Sequence, residues 1–223
     1  MSPRTYSSPV RDAAAAQTRE RVLRAVAVLM SEHGYGRTTM RDIASTAGVS
    51  VQTVNLLGPK SRLIAEALAL AFMGDADATD LGSAAAMREI MAIADTDAAI
   101  SAYAQALAAA LERSCRLART MKAAADTDDT VRDLVLAGEE HRRRDMQLAA
   151  RWMLDRGLIT EDQLDEAADV HALVTSIETA HHFLVDREWS VDRFAAWLEQ
   201  AIRRMVLDGG ASQAGRPSRH PRG

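Results

Sequence analysis

The stretch from Thr39 to Lys60, TMRDIASTAGVSVQTVNLLGPK, leaves little choice of local fold. Thr39 and Asp42 stand at the spacing where a capping hydroxyl and an acidic side chain satisfy each other's backbone N–H at a helix start. Met40, Ile43, Ala44 and Ala47 then repeat at helical intervals, so one face is apolar, and Ala44 is small enough for a second helix to cross close over it. Gly48 ends this helix, because the sharp turn out of it needs a positive φ that glycine adopts cheaply. Ser50 caps a second helix; Val49, Val54 and Leu57 turn back onto the first, leaving Gln52, Thr53 and Asn55 outward. Two short helices crossing about a glycine turn make a helix-turn-helix, whose second helix is suited to a DNA major groove.

Residues 34–54, GYGRTTMRDIASTAGVSVQTV, resemble the N-terminal DNA-binding segment of the TetR family of bacterial transcriptional repressors. The resemblance is close over about residues 19–70, including a long helix before the motif; beyond it, the chain is similar only in reading as an all-helical domain of suitable length. It departs from the family pattern at Asn55, where a phosphate-contacting tyrosine is usual, and in reaching Lys60 one residue early. The resemblance implies a homodimer on a palindromic double-stranded DNA operator, released by a small-molecule effector held in the helical body.

Chemistry assigns roles within the motif. Gln52 and Asn55 are short amides on the open face of the second helix, able to bond adenine N6 and N7 together, and Val51 and Thr53 are placed to touch thymine methyls. Arg41 reaches either a phosphate or a guanine edge, against the plainer reading of a solvated arginine. Arg37 in the loop, Thr39 and Ser50 at the two helix starts, and Lys60 are candidates for the DNA backbone. Charge distribution agrees: residues 1–73 carry nine Arg/Lys against five Asp/Glu, whereas residues 74–208 carry 15 against 26. An acidic body is repelled by phosphate, so DNA contact falls to the N-terminal part.

The pattern predicts an all-α fold in four segments. Residues 1–17, rich in Ser, Pro and Ala, read as a disordered arm; 18–58 as the helix-turn-helix domain; 59–208 as a helical domain for ligand binding and dimerisation; and 209–223 as a disordered basic tail. The first helix spans Thr18 to His33 with Val22, Leu23, Val26, Leu29 and Met30 as its buried stripe. A helix from Pro59 to Phe72, with proline at its first position, precedes a loop over 74–83. Further helices are predicted at about 84–94, 97–124, 127–156, 161–186 and 190–207. No apolar run is long enough to span a membrane, no apolar signal segment is present, and the single Cys115 suits a reducing cytoplasm.

In the body, Tyr103, Leu107, Met121, Met146, Trp152 and His171 are candidates to line an effector pocket between helices, although for any one of them core packing is the commoner role. Abundant methionine favours a deformable cavity for a moderately hydrophobic molecule. Val174, Ile177, Phe183, Phe194, Trp197, Leu198 and Ile202 form apolar stripes on the last two helices; by the resemblance, these meet their copies in a four-helix dimer interface, the alternative being monomer core. Glu178 and His181 have one Glu-x-x-His spacing, but metal sites of that kind need a second. Cys115 has no base beside it and reads as a buried small hydrophobe. The chain is therefore read as a cofactor-free, non-enzymatic, cytoplasmic regulator. The alternative is a dimeric ligand-binding module with weakened operator recognition, motivated by Asn55 and the short connection to Lys60.

Overall fold

The structure, a computed structural model, describes residues 9–74 and 85–207. They form ten α-helices and no strand: α1 Pro9–His33, α2 Met40–Ala47, α3 Val51–Leu57, α4 Lys60–Met73, α5 Ala85–Ala92, α6 Thr96–Ala124, α7 Asp129–Asp155, α8 Leu164–Val174, α9 Ile177–His181 and α10 Val191–Ala201. A short 3₁₀ turn, Glu161–Gln163, leads into α8, and π-helical turns, His182–Asp186 and Ile202–Leu207, extend α9 and α10. Residues 1–8 of the expected arm, 75–83 of the expected loop at 74–83, and the tail at 209–223 lie outside the described residues.

The chain divides into two compact units. The first, the head, unites α1–α4 with residues 116–135, the end of α6 and the start of α7. Its core takes Val22, Leu23, Val26 and Met30 from α1, Ile43 and Ala44 from α2, Val54 from α3, and Leu63 and Ile64 from α4. Leu117, Met121 and Val131 complete it. The head thus extends past residue 58, because Leu63, Ile64 and Ala67 of α4 are buried in its core and α4 packs on α1.

Helix α1 begins nine residues earlier than the periodicity indicated. Ala13–Ala16 have the highest helix propensity and Pro9 sits in the first turn, where its missing N–H costs nothing. The Ser-, Pro- and Ala-rich segment that reads as an arm is thus helical from Pro9, with the side chains at 13–17 exposed. Pro59 also stands one place earlier than expected, as the extended residue before α4 rather than its first helical residue.

The second unit, the body, comprises α5, the remainder of α6 and α7, and α8–α10 with their extensions. Alanines at 99, 104, 108, 150, 167, 168, 180, 195 and 201 are buried there, and their small size lets the helices approach closely around Leu107, Leu111, Met146, Phe194 and Leu198. The single helix expected over 161–186 is broken at Thr175–Ser176. The Thr175 hydroxyl donates back to the His171 carbonyl at 2.7 Å, and Ser176 starts α9 as its cap, accepting from the Thr179 N–H at 3.1 Å. Between α9 and α10 the backbone turns at Glu188, which holds a positive φ of 52°, and Ser190 caps α10.

Candidate nucleic-acid interface and body cavity

The helix-turn-helix forms as its sequence dictates. The Thr39 hydroxyl accepts from the Asp42 N–H at 3.2 Å and donates to the Asp42 carboxylate at 2.7 Å, while the Thr39 N–H donates to the same carboxylate at 2.9 Å. Those bonds, first the Thr39 hydroxyl and then its backbone N–H, hold the Asp42 carboxyl below the ordinary carboxylate range. Gly48 has φ 65° and donates to the Ala44 and Ser45 carbonyls, closing α2. No atom stands within 4 Å of where a Cβ would be, so the backbone angle alone demands glycine here. Ser50 caps α3, accepting from the Thr53 N–H at 3.0 Å.

On α3, Gln52, Asn55 and Leu56 are exposed at positions i, i+3 and i+4 and so share one face, with Val51 at its edge. Leu56 is 81% exposed, the largest value among the exposed large apolar side chains, and sequence reasoning passed over it. Its position one turn beyond Gln52 was the available signal. Arg41 is exposed on α2, and Arg37 donates to the His33 carbonyl at 2.7 Å. The Thr53 hydroxyl lies 2.8 Å from that of Ser50, and the residue is half-buried.

Lys60 and Thr39, the candidates for the DNA backbone, also make bonds inside the head. The Lys60 ammonium donates to the carbonyls of Tyr35 (2.9 Å) and Thr38 (3.3 Å) and sits 4.1 Å from the centre of the Tyr35 ring. Tyr35 in turn donates its hydroxyl to Asp128 at 2.9 Å, and Asp128 accepts from the Val131 N–H at 3.1 Å in the first turn of α7. Burial, followed by the Asp128 bond, pushes the Tyr35 hydroxyl above its usual range, and the same bond holds Asp128 below its own. Lys60, Tyr35 and Asp128 thus fix the loop that leads into α2. Sequence spacing gave no hint of this, since Tyr35 and Asp128 are 93 residues apart.

The body contains a cavity walled chiefly by apolar side chains, among them Met87, Met91, Ile100, Leu148, Met153 and Ile202. The space open to the centre of a water-sized molecule is about 50 Å³. Of the six expected lining residues, Tyr103, Trp152 and His171 line it. Leu107 and Met146 are buried in the body core instead, Met146 taking a contact from the Thr175 hydroxyl, and Met121 belongs to the core of the head. Wall and core residues alike recur at helical spacing on α6 and α7, so periodicity alone could not separate them.

His171 is fully buried, with Nε2 3.1 Å from the Tyr103 hydroxyl and Nδ1 without a hydrogen-bond partner. Burial, reinforced by the nearby Arg142 charge, lowers its pKa to about 4, so the imidazole is neutral at pH 7. Arg142, from the run Glu139–Arg144 that reads as a charged surface, turns inward and donates to the carbonyls of Ala172 and Thr175 at the end of α8. Trp152 donates to the Met91 carbonyl at 3.3 Å, and the Arg156 guanidinium lies 4.4 Å from its ring centre. Among the described residues no cluster of three or more His, Cys, Asp and Glu could hold a metal ion; His181 faces Asp186 at 3.3 Å.

Residues 22–56 match the family described as "Bacterial regulatory proteins, tetR family". Over that segment the head is similar to the TetR family. No curated protein matches the sequence. Among solved structures, the fold is similar to that of a protein named as a transcriptional regulator from Pseudomonas aeruginosa PAO1, at a TM-score of 0.63 and 18% identity over 89% of this chain and 93% of that one. It is also similar to a protein so named from Saccharomonospora viridis, solved in complex with choline, at a TM-score of 0.62 and 19% identity over 86% and 98% of the two chains. These likenesses show that the chain shares the all-helical fold of those two proteins.

The residues expected at a dimer interface separate into two sets. Val174, Phe194, Leu198 and Ile202 are buried within the single chain, because they occupy the core-facing side of α8 and α10. Ile177, Phe183 and Trp197 are half-buried. Phe183 lies against Trp189 and Trp197, with ring centres 4.4 and 4.5 Å away, and the Arg193 guanidinium covers Trp189 at 3.8 Å. Leu173 and Met205, 63% and 49% exposed, are the large apolar side chains that these final helices turn outward. Among the described residues no helix is long and apolar enough to cross a membrane.

Proposed function

We propose that the protein is a cytoplasmic, homodimeric, ligand-responsive transcriptional regulator that represses by binding a palindromic operator and lets go when a small hydrophobic effector fills the body cavity. The observation that carries this reading is the exposed face of α3: two amides and two apolar side chains project from a short helix that Ser50, Gly48 and the α2 packing hold in place. Gln52 and Asn55 read adenine edges, Val51 and Leu56 meet thymine methyls, and Arg37 and Arg41 face phosphate. Two such helices on one dimer would sit a DNA turn apart, so a small change in their separation breaks both grips. The choline complex of a protein of similar fold supports a small-molecule site in the body. The half-buried Ile177, Phe183 and Trp197 with exposed Leu173 and Met205 are the surface we assign to the second copy.

The test is fluorescence anisotropy on the DNA immediately upstream of the gene and on a scrambled duplex, across a salt series, with Gln52→Ala alongside. Tighter binding to the native duplex, with discrimination lost in the variant, is the expected result; equal weak binding with a steep salt slope means that the head touches DNA without reading that site. A monomer by size measurement at micromolar concentration would remove the palindrome model. One observation favours a second reading, a ligand-binding module with weak operator recognition: the donors of Thr39 and Lys60 are engaged inside the head. An intact fold that retains no genomic DNA fragment would select it.

A further inference from the structure

We propose that the body cavity takes an uncharged, largely apolar small molecule bearing one hydrogen-bonding oxygen, anchored on the His171–Tyr103 pair. The inference rests on the reading of the cavity as the effector site and names the chemistry of what enters it.

Three observations carry it. First, His171 Nδ1 is the buried side-chain polar atom left without a partner among the described residues, and its residue lines the cavity. A buried polar atom left unpaired is costly, and a cavity ligand that supplies the partner recovers that cost. Second, the Tyr103 hydroxyl sits 3.1 Å from Nε2, and this bond decides what the other nitrogen offers. When the tyrosine donates, Nδ1 carries the proton and donates; when Nε2 donates, Nδ1 accepts. A hydroxyl oxygen can answer either arrangement, and a carbonyl oxygen the first. An acidic or ammonium group on the ligand is not required by either.

Third, the surroundings disfavour both signs of charge. Asp145 lines the cavity and its negative charge is felt at Tyr103, which opposes a carboxylate ligand. The Arg142 charge acts on both Tyr103 and His171, and the ring of Trp152 already engages Arg156, which opposes a cation seeking an aromatic face. The rest of the wall is methionine, isoleucine, leucine and alanine, and pays no desolvation to receive a hydrocarbon body.

The experiment is isothermal titration of the full-length protein at neutral pH with p-cresol, toluene, p-toluate and choline. These probes separate the oxygen from the ring and the neutral from the charged. Expected is p-cresol binding about tenfold more tightly than toluene, as one good buried hydrogen bond allows, with p-toluate and choline weaker than both. In His171→Phe the p-cresol preference falls to within about twofold while toluene still binds. Should that variant misfold by circular dichroism, ¹⁵N-histidine spectra of the wild-type chain decide: p-cresol shifts the His171 imidazole resonances and toluene leaves them in place. Equal affinity for p-cresol and toluene, tighter binding of choline or p-toluate, or no p-cresol binding up to its solubility limit overturns the proposal. Operator anisotropy with p-cresol present is read separately, so selective binding that leaves the DNA complex intact refutes release by effector while the ligand chemistry stands.

Discussion

The head and the body solve opposite problems with the same helices. In the head, local signals and tertiary packing agree: Thr39 and Ser50 cap, Gly48 turns, and Val22, Ile43, Val54 and Ile64 close one core. Its buried Thr38 hydroxyl donates to the Gly34 carbonyl at 2.9 Å, and Lys60 is tied down by two carbonyls. In the body, the regular pattern breaks repeatedly: α8 and α9 part at Thr175, two π-helical turns follow, Glu188 takes a left-handed angle, and His171 keeps an unpaired nitrogen beside a cavity. The loop before α2 is thus held by bonds made within the head. The body instead keeps one buried group without a partner, which is a costly arrangement that a bound molecule supplying that partner would relieve.

The contrast can be broken most severely in the head core. Ile43→Ala removes a fully buried side chain from the crossing of α2 with its neighbours, and denaturant unfolding is expected to show a loss of roughly 4 kcal/mol. A loss below roughly 1 kcal/mol would mean that the head core is far looser than its burial implies.

Next in size is a pH effect confined to the body. The unfolded chain takes up a proton on His171 near 6.5, whereas the native imidazole, buried and near Arg142, resists protonation until about 4. The unfolded state therefore binds more protons in that window, and stability falls as pH drops from 6.5 towards 4, by about 3 kcal/mol from this residue alone. Comparing wild type with His171→Phe in urea melts across this range isolates the term; parallel pH profiles would show that the imidazole is not held neutral by the fold.

Two smaller effects sharpen the account of the head. Gly48→Ala places a Cβ on a residue at φ 65° with nothing nearby to clash, so the cost should be the backbone term alone, about 1–2 kcal/mol by thermal unfolding. A much larger loss would point to packing that the open surroundings do not contain. Smallest is Arg62→Ala. Its pair with Glu66 is close, at 2.6 Å, but the arginine is 64% exposed and Glu66 also meets Arg19 at 3.0 Å, so the expected change is under about 0.5 kcal/mol.

Most of the head was legible in the chain because its signals are local. Thr39 with Asp42, Gly48 and Ser50 each act within one turn of helix, and the apolar intervals of α2 and α3 point to a single shared core. The exposure of Gln52 and Asn55 was legible for the same reason. Leu56 was missed because an isolated leucine in a short helix is normally assigned to the core. The body was legible as helices but not as a site. Tyr103, Trp152 and His171 line the cavity, whereas Met121, Leu107 and Met146 satisfy the same pattern and are core, and Ile202, expected at an interface, lines the cavity as well.

By itself, then, the sequence determined an all-helical chain with a capped helix-turn-helix, its glycine turn, and a polar outward face on the second helix. These depend on backbone angles, capping hydrogen bonds and residue spacing, all of which act over a few residues. Only the tertiary structure decided that the α6–α7 turn belongs to the head, that Tyr35 bonds Asp128, and that Phe194 and Leu198 face inward. It alone also brought Tyr103 to His171 across 68 residues and left one nitrogen of that imidazole without a partner. Helical periodicity says which side of a helix is apolar, but which neighbour covers that side depends on how the helices pack, and sites built between helices follow from the packing.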